Sequence, residues 1–248
     1  QNLLKPIKLQ FKPQIIIHCA AKHPNSKTGS DMKNIYLTNI KITKNLINFA
    51  NKNDVKKVFF LSSIAAYGQI RKEIIDEKQK PIDQNLYERS KFESEKLFCK
   101  KKNKFQTVCL RIPGVFTTNL KKDYPLITKI LKNIKKNKRL EVYNSNKKFN
   151  NVVDVLEITN FINFSLKKKK IQSGVYNFSA SNPIKFINAI EMIKKLFKSK
   201  SVVINKISDK NSFVISNNKI FKKFNFKTSS AKTIITRCCK NIIKKSEI

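Results

Sequence analysis

The sequence predicts an α/β fold, a mostly parallel sheet with helices on both faces. Three observations predict it. Short apolar runs without polar alternation, such as QIIIHCAA at 14–21 and TVCLRI at 107–112, read as strands buried on both faces. Longer stretches with apolar residues at helical spacing lie between them. The two kinds of segment alternate along the chain, as they must when helices carry each crossover from one parallel strand to the next.

Taken in order, residues 14–21 are a strand bounded by Pro13 and a polar loop. Residues 31–52 place Ile35, Ile40, Ile42, Leu46, Ile47 and Phe49 near helical spacing, with Asp31 or Ser30 as the cap. Residues 58–61 are a strand, 87–100 a helix, 107–112 a strand, 125–136 a helix and 140–143 a short strand. Residues 151–155 lead into a helix through 166. Residues 175–178 are a strand, 184–198 a helix, 202–207 a strand, and the chain from about 229 is helical. No internal repeat is present, and no linker is long enough to mark a domain break.

The composition narrows the classes. With 248 residues and a 40% hydrophobic share, the chain can bury a core. The net charge of +37 suggests nucleic acid or an anionic membrane. That charge is nearly all lysine, and arginines such as Arg71, Arg89, Arg111 and Arg237 are dispersed. Asparagine, isoleucine and phenylalanine are also heavily used, and tryptophan is absent. This pattern reads as drift of the whole composition, so neither a specific nucleic-acid partner nor a membrane is expected. The lysine runs at 100–102 and 167–170 read as solvated helix ends or loops.

The five cysteines, Cys19, Cys99, Cys109, Cys238 and Cys239, show no metal-ligand spacing, and no metal site is expected. Scattered thiols suit a reducing cytoplasm. No apolar run approaches the ~18 residues of a transmembrane helix. No signal-peptide pattern is present. The sequence begins with Gln1, not Met.

The chemistry concentrates in residues 58–96. An apolar strand ends in Ser62 and Ser63, a loop carries Tyr67-Gly68 and Pro81, and Tyr87-Glu88-Arg89-Ser90-Lys91 opens an amphipathic helix. Tyr87 and Lys91 are four apart and share one helix face. A free tyrosine titrates near ~10, so to act as a base near neutrality it must be pulled down by about 4 kcal/mol. A neighbouring ammonium does this. A serine hydroxyl at the strand end can hold the substrate oxygen in line.

This pairing, SSIAAYG followed by YERSK, resembles the active-site region of the extended short-chain dehydrogenase/reductases, the NAD-dependent epimerase/dehydratase family. The resemblance implies a Rossmann-like fold with a small C-terminal substrate-binding region. It implies NAD or NADP as cofactor and a nucleotide-sugar as substrate. Tyr87 would be the proton-transfer residue, Lys91 the group that lowers its pKa and meets the nicotinamide ribose, and Ser63 the partner of the reacting oxygen. Ser62 would be a packing residue.

Further segments carry the likeness along the chain. QIIIHCAAK resembles the family's fourth strand and its loop, which would set Cys19, Ala20, Ala21, Lys22 and His23 along the cofactor. NIKIT resembles Asn-x-x-Gly-Thr, with Asn39 at the buried asparagine beside the cofactor and Ile42 where glycine is usual. LRIPGVF places Pro113 on the nicotinamide side. KFNNVVDV resembles the family's Arg-x-Phe-Val-x-Val-x-Asp segment with Asp154 at the final acid, a residue that reads equally well as an acid at a helix N-terminus. His18, on the apolar strand end, reads as a packed histidine.

The departures matter as much. The four glycines, Gly29, Gly68, Gly114 and Gly174, cannot form Gly-x-x-Gly-x-x-Gly, the turn that brings a diphosphate to a helix N-terminus. The sequence is therefore read as N-terminally truncated relative to the family. Residues 1–140 are expected to hold the rest of the nucleotide-binding domain with the catalytic segment. Residues 141–248 would hold mainly the substrate-binding region, with Rossmann elements interleaved. Gly114 stands where nucleotide-sugar enzymes usually carry asparagine, and Thr117-Thr118 where Gly-Pro is usual. Lys147 and Lys148 lie near the position of the family's phosphate-binding arginine. A homodimer is compatible with the resemblance. The competing class is a non-catalytic binding or regulatory protein on the same fold, or an inactive gene fragment.

Overall fold

The computed structural model describes residues 2–24, 31–118, 126–208 and 212–246. In chain order they form β1 (Ile15–His18), α1 (Met32–Lys52), β2 (Lys57–Ser63), a 3-10 turn (Ile64–Tyr67), β3 (Ile74–Ile75), α2 (Leu86–Phe98), β4 (Gln106–Ile112) and β5 (Val115–Phe116). There follow α3 (Leu126–Lys135), β6 (Leu140–Tyr143), β7 (Lys148–Phe149), β8 (Val153–Asp154), α4 (Val155–Leu166), β9 (Gly174–Asn177) and β10 (Ile184–Lys185). The chain closes with α5 (Phe186–Leu196), β11 (Val203–Lys206), β12 (Val214–Ile215), α6 (Asn218–Phe224) and α7 (Ala231–Ser246).

The alternation read from the sequence is present, and the protein is an α/β protein with mainly parallel strand pairing. Two compact units divide the chain. One comprises Gln1–Ile70, Glu77–Ile112 and Phe164–Asn177; the other comprises Arg71–Asp76, Pro113–Asn163 and Phe178–Ile248.

The first unit is built on a four-stranded parallel sheet in the order β1-β2-β4-β9. β2 is central and apolar on both of its faces: Phe59 is 0% and Phe60 2% exposed. At ~2 kcal/mol for each fully buried large side chain, such residues drive the collapse of the unit. Ile42, Leu46 and Ala50 of α1 pack with Val58 and Phe60 of β2, Cys109 of β4 and Phe98 of α2. Asp31 caps α1, its Oδ1 accepting from the Asn34 N–H at 2.9 Å. The alternative cap, Ser30, lies outside the described residues, as does position 125 of the third expected helix. A polar seam joins α1 to α2, where Thr43 Oγ1 meets Ser94 Oγ at 2.8 Å. The small Ser90 and Ser94 allow the helices to approach closely there.

The second unit gathers α3, α5 and α7 around one apolar cluster that includes Leu131, Ile134, Ile190, Ile193, Ile234 and Ile235. Its strands are short pairs: β6 with β11, β3 with β12 and β5 with β8 are parallel, and β7 with β10 is antiparallel. Asp154 is the helix N-terminal acid that the sequence offered, and it is also the partner of an arginine from α7. Its Oδ1 accepts from the Glu157 N–H at 2.9 Å at the start of α4, and its two oxygens receive Arg237 at 2.8 and 2.9 Å.

Candidate active site

At the end of β2 two consecutive serines face opposite ways, as strand geometry requires. Ser62 is buried, and its Oγ donates to Glu95 Oε1. Arg111 of β4 holds the same carboxylate through Nε at 3.0 and 3.2 Å and Nη2 at 2.7 Å. Burial alone would lower the Arg111 pKa, but the Glu95 carboxylate outweighs that and keeps it raised. Ser63 is half-buried, and its Oγ accepts from the Ala65 N–H at 3.1 Å, opening the 3-10 turn. Gly68 ends that turn at φ 66°, and a Cβ there would stand 2.0 Å from the Ile82 carbonyl oxygen. Only glycine accepts both conditions.

The loop returns to α2, whose start is fixed by a reciprocal cap. Asn85 Oδ1 accepts from the Glu88 N–H at 3.0 Å, and Glu88 Oε2 accepts from the Asn85 N–H at 2.9 Å. Tyr87 thus falls in the first turn with Lys91 one turn on. Both are buried, at 8% and 5% exposure. Lys91 Nζ donates to the Leu61 carbonyl at 3.4 Å and lies 5.1 Å from the centre of the Phe60 ring. Burial lowers its pKa to about 8, against the opposing pull of Glu95 and Cys19.

The segment after β1 is clamped to the same place. Asn39, buried in α1, accepts from the Lys22 N–H at 2.8 Å and donates to the Lys22 carbonyl at 3.1 Å. It also donates to Ser90 Oγ at 3.0 Å, and Ser90 Oγ donates to the Tyr87 carbonyl at 2.7 Å. His23, next in the chain, brings its Nε2 to 3.5 Å from Tyr87 Oη, with ring centres 4.9 Å apart. Cys19, Ala20, Lys22 and His23 are exposed, and Ala21 is half-buried. His18 is packed, stacking on Phe60 at 5.2 Å. Burial, aided by Lys91, lowers its pKa to about 4.

Ser63, Tyr87, Lys91, Asn39 and the 19–23 segment therefore belong to one compact unit. Pro113 follows β4 directly and begins the other unit. The sequence did not reveal Glu95 and Arg111; the one signal was an arginine inside the apolar run TVCLRI. It placed His23 along a cofactor and gave no sign of its contact with Tyr87.

These residues fit the nicotinamide and ribose half of a dinucleotide: a buried phenol, a buried ammonium with a single protein acceptor among the described residues, and a pinned loop. They do not supply the diphosphate half. Gly68 and Gly174 serve turn and strand positions, Gly114 follows β4, and Gly29 lies outside the described residues. The second unit holds a pocket of about 350 Å³, lined by Gly114, Tyr143, Lys147, Lys148, Phe149 and Phe213 among others. Lys147 Nζ reaches Glu73 at 3.2 Å. Among the described residues no cluster of His, Cys, Asp or Glu suits a metal ion, and no helix is long and apolar enough to cross a membrane.

The family model for the NAD dependent epimerase/dehydratase family matches residues 1–178. The chain is 36% identical over 115 residues to a UDP-glucose 4-epimerase of Halalkalibacterium halodurans, covering 44% of this chain and 34% of that protein. It is 26% identical over 202 residues to an ADP-L-glycero-D-manno-heptose-6-epimerase of Brachyspira hyodysenteriae, covering 77% and 61%. The chain thus spans between a third and about three fifths of the length of these relatives. Among solved structures, Bordetella bronchiseptica WbmG in complex with NAD and UDP superposes with a TM-score of 0.80 at 19% identity, covering 94% of this chain and 74% of that one. RMD of Pseudomonas aeruginosa, complexed with NADPH, gives 0.78 at 19% identity, covering 96% and 84%. These likenesses carry the fold. The family match covers well over half of the residues, and the chain belongs to the NAD-dependent epimerase/dehydratase family.

Proposed function

We propose that this chain carries the proton-transfer site of an NAD(P)-dependent enzyme acting on a nucleotide-sugar, of the epimerase, dehydratase or reductase kind. The observation that carries the reading is the pairing of buried Tyr87 with buried Lys91, whose pKa burial draws down to about 8. A phenol one helical turn from a buried cation loses its proton more readily, because the phenolate gains a favourable charge partner. Tyr87 then takes or returns the proton of the sugar hydroxyl. Ser63 Oγ, at the end of β2, holds the reacting oxygen. Lys91 has donors to spare for a ribose hydroxyl. Cys19, Ala20, Ala21, Lys22, His23 and Asn39 line the cofactor. Bound NAD or NADP would supply the hydride acceptor and donor.

The pocket of the second unit supports a nucleotide-sugar as substrate. Its aromatic residues offer faces for a base, and Lys147 and Lys148 offer charge for a diphosphate. In this reading residues 1–140 serve cofactor and catalysis and residues 141–248 mainly the substrate. The five free thiols support work in the cytoplasm.

The test is absorbance of the reduced nicotinamide with nucleotide-sugars, in a form of the protein that turns over. Tyr87→Phe should lower turnover by roughly 10²- to 10⁴-fold while cofactor binding survives. Lys91→Ala should lower both turnover and cofactor affinity. Wild-type turnover in Tyr87→Phe would refute the assignment and favour a non-catalytic protein on this fold.

A further inference from the structure

We propose that His23 is a positioning and relay residue that carries protons between Tyr87 and solvent. The inference rests on the reading of Tyr87 as the proton-transfer group and extends it. Tyr87 is buried, at 8% exposure, and Lys91 is buried as well, its Nζ turned to the Leu61 carbonyl. His23 is exposed, and its Nε2 stands 3.5 Å from Tyr87 Oη. That separation is long for a hydrogen bond, but catalytic contacts are commonly long before substrate closes the site.

The placement of His23 is built into the fold. The preceding residue is held at both its N–H and its carbonyl by the buried Asn39, at 2.8 and 3.1 Å. The same Asn39 reaches the Tyr87 carbonyl through Ser90. Loop and phenol are thus referred to one buried side chain. An imidazole has two distinct nitrogens, so one can face the phenol while the other exchanges with water.

The proton count closes. With bound NAD or NADP as the hydride acceptor, the proton of an oxidised substrate hydroxyl would go to the Tyr87 phenolate. The phenol passes a proton to His23 Nε2, and the imidazolium releases one from Nδ1 to water. The phenolate is restored and the imidazole is neutral again with its proton on Nε2; exchange with water returns it to the Nδ1–H tautomer, and one proton has moved from hydroxyl to solvent. Reduction runs the same path backwards. In a closed epimerisation the proton returns to the same sugar, and the relay sets the protonation state of Tyr87 between turnovers. Among the described residues, ionisable groups on the same elements include Lys91 and Glu95 of α2, His18 and Cys19 at the end of β1, and Lys22 beside His23.

The experiment uses residues 1–248 as they stand, with ¹³C-labelled tyrosine and histidine rings followed by NMR. The first readout is exchange of the Tyr87 hydroxyl proton with water. In His23→Gln, which can hydrogen-bond but cannot relay, exchange should slow roughly tenfold, and added imidazole should restore it. The second is reciprocity: His23→Gln should move the Tyr87 titration by as much as Tyr87→Phe moves that of His23. His23→Ala, in an exposed loop, serves if the glutamine variant misfolds. Unchanged hydroxyl exchange in these variants, or titrations independent of each other, would overturn the relay and leave Tyr87 as the base. A Tyr87 that titrates near its ordinary value, unmoved by Lys91→Met, would instead overturn the reading beneath it.

Discussion

Lys57 and Lys91 bracket the central strand β2, and both are buried, at 9% and 5% exposure. Their surroundings differ. Lys57 Nζ donates to the carbonyls of Ser165 and Leu166, in the last turn of α4, and of Lys168 just after it. A helix C-terminus is the negative end of its dipole, so the cation and its hydrogen bonds are spent on structure. Lys91 Nζ has one carbonyl at 3.4 Å, an aromatic face and the more distant Glu95. The same residue type at similar burial is satisfied at one end of the strand and under-paired at the other. The under-paired cation is the one that stands a helical turn from Tyr87.

The largest way to disturb this contrast is through Glu95. It holds Arg111 directly and supports the charge on Lys91. Glu95→Gln leaves a buried guanidinium without its carboxylate and should cost about 3–5 kcal/mol in denaturant unfolding. It should also draw the Lys91 pKa further down. A loss below about 1 kcal/mol would mean that Arg111 finds another partner.

Lys91→Met should act in the opposite sense and stabilise the protein. The folded pKa of Lys91 is lowered to about 8 from 10.5, so its burial penalty is present in full below pH 8 and is relieved between pH 8 and 10.5. At about 1.4 kcal/mol per pH unit between the two values, the penalty near pH 7 is about 3 kcal/mol. The wild type should therefore gain stability across that window, and Lys91→Met should not. Equal pH profiles for the two would break the contrast.

His18 gives an effect of similar size on the acid side. Its pKa is lowered to about 4 from 6.5, so the unfolded chain binds a proton first as pH falls. Stability is complete above pH 6.5 and about 3 kcal/mol of it is lost by pH 4. His18→Phe, which keeps a ring against Phe60, should flatten that part of the curve.

The smallest expected change is Lys57→Met. It removes charged hydrogen bonds to three carbonyls and should destabilise by about 2 kcal/mol. Turnover per folded molecule should be unchanged, whereas Lys91→Met should abolish it.

Much of this was readable in the sequence because the signals are local. The apolar runs of β1, β2 and β4 and the spacing of α1, α2 and α5 fix elements from consecutive residues. Tyr87 and Lys91 share a helix face by spacing alone. Asn39, a poor helix former inside α1, signalled a specific buried role, and it holds Lys22 in place. What was not readable depends on partners distant in the chain. Nothing near Lys57 in sequence announces the end of α4. Glu95 looks like any charged residue of an amphipathic helix until Arg111 arrives from β4. The two-residue strands β3, β5, β7 and β12 carry too few residues for periodicity, and α6, NKIFKKF, is too short and lysine-rich to stand out. The expected helix over 184–198 begins instead at Phe186, because Ile184–Lys185 pairs with Lys148–Phe149 as a strand.

Under the proposed function Lys91 is a buried, under-paired cation that serves the chemistry of Tyr87. The most direct test of this is the titration of the Lys91 side chain itself, followed by NMR of the ¹³Cε or ¹⁵Nζ nucleus and assigned by its loss in Lys91→Met. The expected midpoint is near 8. A midpoint near the ordinary 10.5 would show that the ammonium is solvated or fully paired, and would contradict it.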